Sequence, residues 1–65
     1  MPDYVCLIYS KEDKVLTVEG FNRADDDAAI REATAIATAN VGCRGYELWR
    51  GGKKVATTLP KAGLP

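Results

Sequence analysis

Histidine is absent from this 65-residue sequence. With it go the commonest general acid–base and the commonest metal ligand, and so most zinc sites and the histidine-based triads. Cysteine is scarce: Cys6 and Cys43 stand far apart, in no CxxC or other metal-ligand spacing. An excess of one charge is missing as well. Nine basic and nine acidic residues cancel to a formal net charge of zero, which removes any general attraction to nucleic acid or anionic lipid. No apolar run approaches the ~20 residues of a membrane span, and no signal segment of ~15–30 residues opens the sequence. A cytoplasmic setting with reduced thiols is therefore expected, with no membrane partner. Phosphate loops are absent too, since Gly51-Gly52 lies in neither GxxxxGK[ST] nor GxGxxG. Ser10, Thr34, Thr38, Thr57 and Thr58 have no recognisable base to activate them. The expectation is no enzyme: no catalytic residue, cofactor, metal or small-molecule substrate is identified.

What is present reads as globular. Hydrophobic residues make up 46% and charged residues 28%, outside the range of disordered chains. Much of the apolar content is alanine, so the core is thin, and a chain this size buries only about 60% of its unfolded-state surface. Self-association would cover what is left over. Charge is unevenly spread: residues 1–32 hold eight acids against four bases, and residues 33–65 hold five bases against one acid. Interleaving of the two signs on folding accounts for this without a binding role, because sequence halves seldom map onto spatial halves.

The most informative stretch is Gly45–Leu59, a β-hairpin around Gly51-Gly52. A two-residue type I′ turn needs positive φ at both central positions, which glycine adopts freely. That turn predicts Arg50 opposite Lys53, Trp49 opposite Lys54, Leu48 opposite Val55, Glu47 opposite Ala56 and Tyr46 opposite Thr57. Alternation then puts Tyr46, Leu48, Val55 and Thr57 on the core side, and Glu47, Trp49, Lys54, Ala56 and Thr58 on the other.

Upstream, Tyr4–Tyr9 is a strand apolar on both sides, which suits the middle of a sheet. Ser10–Lys14 is a polar reversal, and Val15–Glu19 a second strand ended by Gly20, with Phe21 folding back onto the core. A helix follows. Asp25 is the preferred N-cap, with Asn22 and Asp26 as alternatives, and acids crowd the first turn where free N–H groups and the helix dipole favour them. Ala29, Ile30, Ala33, Ile36, Ala37 and either Asn40 or Val41 recur at helical spacing, with Ile30 and Ile36 as the main anchors. Gly42 suits the position that stops the helix. Capping explains Asp25-Asp26-Asp27 better than a metal site, because neighbouring carboxylates on a helix diverge by about 100°. The order is β-β-α-β-β: an α+β fold with one helix on a four-stranded, mainly antiparallel sheet. The favoured strand order is 2-1-3-4, with strand 4 parallel to strand 1 as the alternative. Residues 1–59 form a single domain and 60–65 a flexible C-terminal tail.

One helix covers only one side of such a sheet. The uncovered side, around Trp49, Lys54, Ala56 and Thr58 with one side of strand 1 (either Tyr4, Cys6 and Ile8 or Val5, Leu7 and Tyr9), is the expected interaction surface, for a homodimer or for a partner protein. Lys54 beside Trp49 reads either as a cation–π pair or as a lysine stem packed on indole. Arg44, Arg50, Lys53 and Lys54 form a candidate basic tip, which gives the alternative of a nucleic-acid-binding or toxin-binding regulatory module. Cys6 is expected in the core or an interface and Cys43 at a partly exposed position. Ala24–Ile30 (ADDDAAI) and Tyr46–Ala56 (YELWRGGKKVA) resemble a family of short bacterial domains, common in alphaproteobacteria, whose closing hairpin carries a Glu-Leu-Trp-x-Gly pattern. The resemblance spans residues 4–56 and implies the same β-β-α-β-β order, with no activity to carry over. Val18–Phe21 and the helix entry are also faintly similar to antitoxin domains with a partial RNase H-like fold, but their extra early strand and Pro/Gly-rich segment are missing here.

Overall fold

The computed structural model describes residues 2–59, so the expected tail, 60–65, lies outside the described residues. The chain runs through β1 (Asp3–Ser10), β2 (Val15–Asn22), α1 (Asp26–Ala39), β3 (Cys43–Arg50) and β4 (Lys53–Thr57). The fold is α+β, with one helix on a four-stranded antiparallel sheet of order β2-β1-β3-β4. β1, apolar on both sides, lies inside the sheet. β2 and β3 both run antiparallel to it and are therefore parallel to each other, so α1 is the crossover that such a pair of strands requires.

Local chemistry sets the joints. Ser10 is buried, and its Oγ accepts the N–H groups of Glu12 at 3.1 Å and Lys14 at 3.2 Å, closing the β1–β2 turn. Asp25 is the N-cap: its carboxylate accepts the Ala28 N–H at 2.8 Å. At the far end the helix stops earlier than Gly42 suggested. Asn40 caps it, its Nδ2 donating to the Ile36 carbonyl at 2.7 Å. Gly42, at φ 86°, sits instead in the turn closed by the Cys43 N–H on the Asn40 carbonyl at 3.1 Å. Val41 is 99% exposed, so Asn40 and not Val41 ends the apolar stripe.

The core is built from Tyr4, Cys6 and Ile8 of β1, Tyr46 and Leu48 of β3, and Ala29 and Ala33 of α1. Ile30 and Ile36, expected as anchors, are only partly buried against this cluster. The fully buried contacts are the two alanines, whose small side chains let the helix lie close over β1 and β3. Gly20 does not end β2. It stays in extended conformation opposite Val5, and the strand continues to Asn22, bringing Phe21 beside Tyr4 with ring centroids 6.1 Å apart.

Two features of the closing hairpin differ from the sequence expectation. Only Gly51 has a left-handed φ, of 60°, which is the requirement of a type II′ turn and not of type I′. The pairing also slips. Arg50 faces Lys53 and Trp49 faces Lys54, but Leu48 faces Ala56 and Glu47 faces Thr57. Val55 is thus the extra residue of a β-bulge, and both Val55 and Ala56 pack against the core. The slip packs two apolar residues, both partly buried, against the core where strict alternation would place one. Ala56 therefore belongs to the helix side, and its assignment to the surface around Trp49 is corrected.

Candidate interaction surface

The helix covers the side of the sheet that holds Tyr4, Cys6, Ile8, Tyr46 and Leu48. Residues that alternate with these point the other way, and the register arranges them in three cross-strand rows. The first row is Gly20, Val5, Trp49 and Lys54. The second is Val18, Leu7, Glu47 and Thr57, and the third begins Val15, Tyr9 and Gly45. Trp49 thus lies opposite the helix, as its place in the hairpin implied.

The two halves of this open side differ in chemistry. On β3 and β4 the polar groups satisfy one another. Glu47 Oε1 accepts from the Tyr9 hydroxyl at 3.1 Å and from Trp49 Nε1 at 3.3 Å, while Lys54 Nζ lies 3.5 Å from Glu47 Oε2. The same ammonium is 5.7 Å from the Trp49 ring centroid, within cation–π range. Burial, and then the hydrogen bond to Glu47, raises the Tyr9 hydroxyl above its ordinary pKa. On β1 and β2 the surface is aliphatic: Val5 is 41%, Val15 48% and Val18 57% exposed, with half-buried Leu7 between them. Gly20 supplies no side chain, which deepens the relief around Val5.

The chain's own cover is confined to one corner. After β4, the Thr58 N–H donates to the Tyr46 carbonyl at 3.1 Å, and Thr58 Oγ1 accepts the Tyr46 N–H at 3.0 Å. Thr58 is thereby a strand-ending clasp at the Gly45 corner. A Cβ on Gly45 would stand 2.6 Å from Thr58 Oγ1 and 3.0 Å from Leu59 Cδ2, so these residues occupy its side of the strand. Of the two sides of strand 1 that the sequence left open, the structure puts Val5, Leu7 and Tyr9 on this surface; sequence reasoning missed Val15 and Val18 beside them. The signal was the second strand's apolar alternation, but only the register across the Ser10–Lys14 turn shows which of its residues share a side.

The four bases of the expected tip are not together. Arg44 and Arg50 stand at opposite ends of β3, about 20 Å apart for six residues of strand. Arg44 pairs with Asp13, and Arg50 with Asp26 at 3.2 Å. Lys53 shares the helix side with Arg50, while Lys54 shares the open side with Trp49. Asp26 also accepts the Tyr4 hydroxyl at 2.6 Å, which raises the pKa of that hydroxyl, with burial adding to the effect. The helix-start carboxylates thus cap the helix and tie it to β1 and β3. Cys6 is fully buried, and desolvation, helped by Glu19 and Cys43, pushes its thiol up to about 11. Cys43 is half-buried, its Sγ 3.4 Å from the Gly45 carbonyl, and both cysteines are free. No helix among the described residues is long and apolar enough to cross a membrane.

Comparison with protein-family models, with curated proteins and with solved structures finds no match.

Proposed function

We propose that this protein is a small non-enzymatic interaction domain that associates with itself through the open side of its sheet. One observation carries the reading. The side opposite the helix presents contiguous aliphatic surface at Val5, Leu7, Val15 and Val18, and among the described residues only the Thr58–Leu59 corner lies against it. The described residues form one sheet and one helix, with no third layer among them.

A second copy suits this surface for two reasons. Its net charge is zero, so copies do not repel one another at long range. The open side also carries both signs, Glu47 next to Lys54, so a two-fold axis can set each against the opposite sign of the partner. The rival reading, nucleic-acid or toxin binding by a basic tip, has less support, because its four bases are spread over two sides and two ends of the hairpin and three are paired with carboxylates.

Sedimentation equilibrium over a range of concentrations tests the proposal. The mass should rise from 7.0 kDa to at least twice that value. Val5→Lys and Trp49→Lys, which place a charge on the open side, should each lower the association while leaving the fold intact. A protein that sediments as a monomer at every concentration would contradict the proposal.

A further inference from the structure

The two edges of the sheet are unequal. β4 is short and carries the devices that keep an edge from pairing: Lys53 and Lys54 at its start, a bulge at Val55, and threonine side chains at its end that bind the backbone of Tyr46. β2 has eight residues, no proline and no lysine, and six of the eight are exposed; its own bulge, at Leu16, lies outside Thr17–Asn22, which pairs with β1 without a break. The helix lies mainly over β3 and, less closely, over β1.

The direction of the β2 peptide groups follows from one bond. The Arg23 N–H donates to the Pro2 carbonyl at 3.3 Å, so Arg23 faces β1 with its backbone. In an antiparallel ladder such residues alternate. Phe21, Glu19 and Thr17 therefore also face β1, opposite Tyr4, Cys6 and Ile8. Val18, Gly20 and Asn22 point their N–H and C=O groups outward from the sheet edge.

We infer that two copies of this chain join edge to edge through β2, antiparallel and centred on Val18, forming one continuous eight-stranded sheet from two four-stranded ones. With Val18 on the two-fold axis, the outward N–H and C=O of each Val18 pair with those of the other copy. Thr17 of one copy then faces Glu19 of the other, and Leu16, 50% exposed, faces Gly20, which has no side chain to obstruct it. No like charges stand opposite one another. Centring on Glu19 would oppose two carboxylates and use peptide groups already turned to β1, and centring on Gly20 would set Val18 against Asn22. This contact lies in the plane of the sheet and is independent of the open-side association. It doubles the aliphatic half of that side by placing the two β2 strands next to each other.

Residue-resolved amide hydrogen exchange on the wild-type chain, followed alongside sedimentation, tests the inference. At concentrations where the mass exceeds that of one chain, the Val18 and Gly20 amides should exchange at least about tenfold more slowly than in dilute protein, joining the always-protected Thr17 and Glu19 amides. Gly20→Pro removes an outward N–H and should weaken association at least about tenfold more than Gly20→Ala, which puts a carbon on the same open side but keeps that N–H. An associated protein whose Val18 and Gly20 amides remain unprotected would overturn the edge contact and leave the open-side proposal standing. A monomer at all concentrations would overturn both.

Discussion

A methyl group at Gly45 is a severe perturbation for its size. The glycine has ordinary extended conformation, so the effect is steric. A Cβ there would sit 2.6 Å from Thr58 Oγ1, 3.0 Å from Leu59 Cδ2 and 3.5 Å from the Thr58 carbonyl carbon. The leucine can move, but the threonine oxygen is held by the Tyr46 N–H at 3.0 Å. Relief requires Thr58 to rotate away and leave the N–H of a buried strand residue without its partner, a cost of about 1–3 kcal/mol. Gly→Ala recovers roughly 0.4–1 kcal/mol by restricting the unfolded chain. Gly45→Ala should therefore destabilise the fold by about 1–2 kcal/mol in urea denaturation. Thr58→Ala alone should cost about the same as the lost hydrogen bond. In the Thr58→Ala background the alanine at 45 meets no oxygen, so its cost should fall close to zero, a coupling of about 1 kcal/mol or more. Gly45→Ala that proves neutral, or adds to Thr58→Ala without coupling, would refute the reasoning.

Two further effects follow from the same geometry. Asp25→Ala removes the carboxylate that accepts the Ala28 N–H and should cost about 1 kcal/mol in thermal or urea unfolding, with Asp25→Asn nearly neutral. The Cys6 thiol is raised from 9.0 to about 11, so the folded state holds this proton more tightly than the unfolded chain. The resulting stability is fully present below pH 9 and is lost as pH rises toward about 11, on the order of 2–3 kcal/mol. Tyr4 and Tyr9, both raised, act in the same direction, so Cys6→Ala should flatten the fall in urea stability across this range in part and not wholly.

The element order, the strand order and the N-cap were legible because each rests on local chemistry. β1 is apolar on both sides and so belongs inside the sheet, and Asp25 stands just before the periodic stripe of the helix. The opposition of Trp49 to the helix was legible too, since it needs only the two pairs nearest the Gly51 turn. Beyond Lys54 the reading failed at a single residue. A bulge at Val55 leaves no sequence signal distinct from continued alternation, yet it moves Ala56 to the helix side. The weight placed on Ile30 and Ile36 failed for a different reason. Size suggested anchors, but the close approach of helix and sheet is made where side chains are smallest, at Ala29 and Ala33. The aliphatic half of the open side was hidden because it depends on the pairing of Leu7 with Val18, which the four residues between their strands do not specify on their own. The basic tip was read from sequence proximity, whereas alternation sends Lys53 and Lys54 to opposite sides.

Trp49 is the only tryptophan, and it stands on the side of the sheet that the helix leaves open. Its emission maximum and its quenching by acrylamide therefore report on that side alone. Followed across a dilution series that spans the association, the emission should shift to the red and become more quenchable as copies separate. Emission and quenching that do not change with concentration, in a protein that sediments as more than one chain, would contradict the claim that this side is where the copies meet.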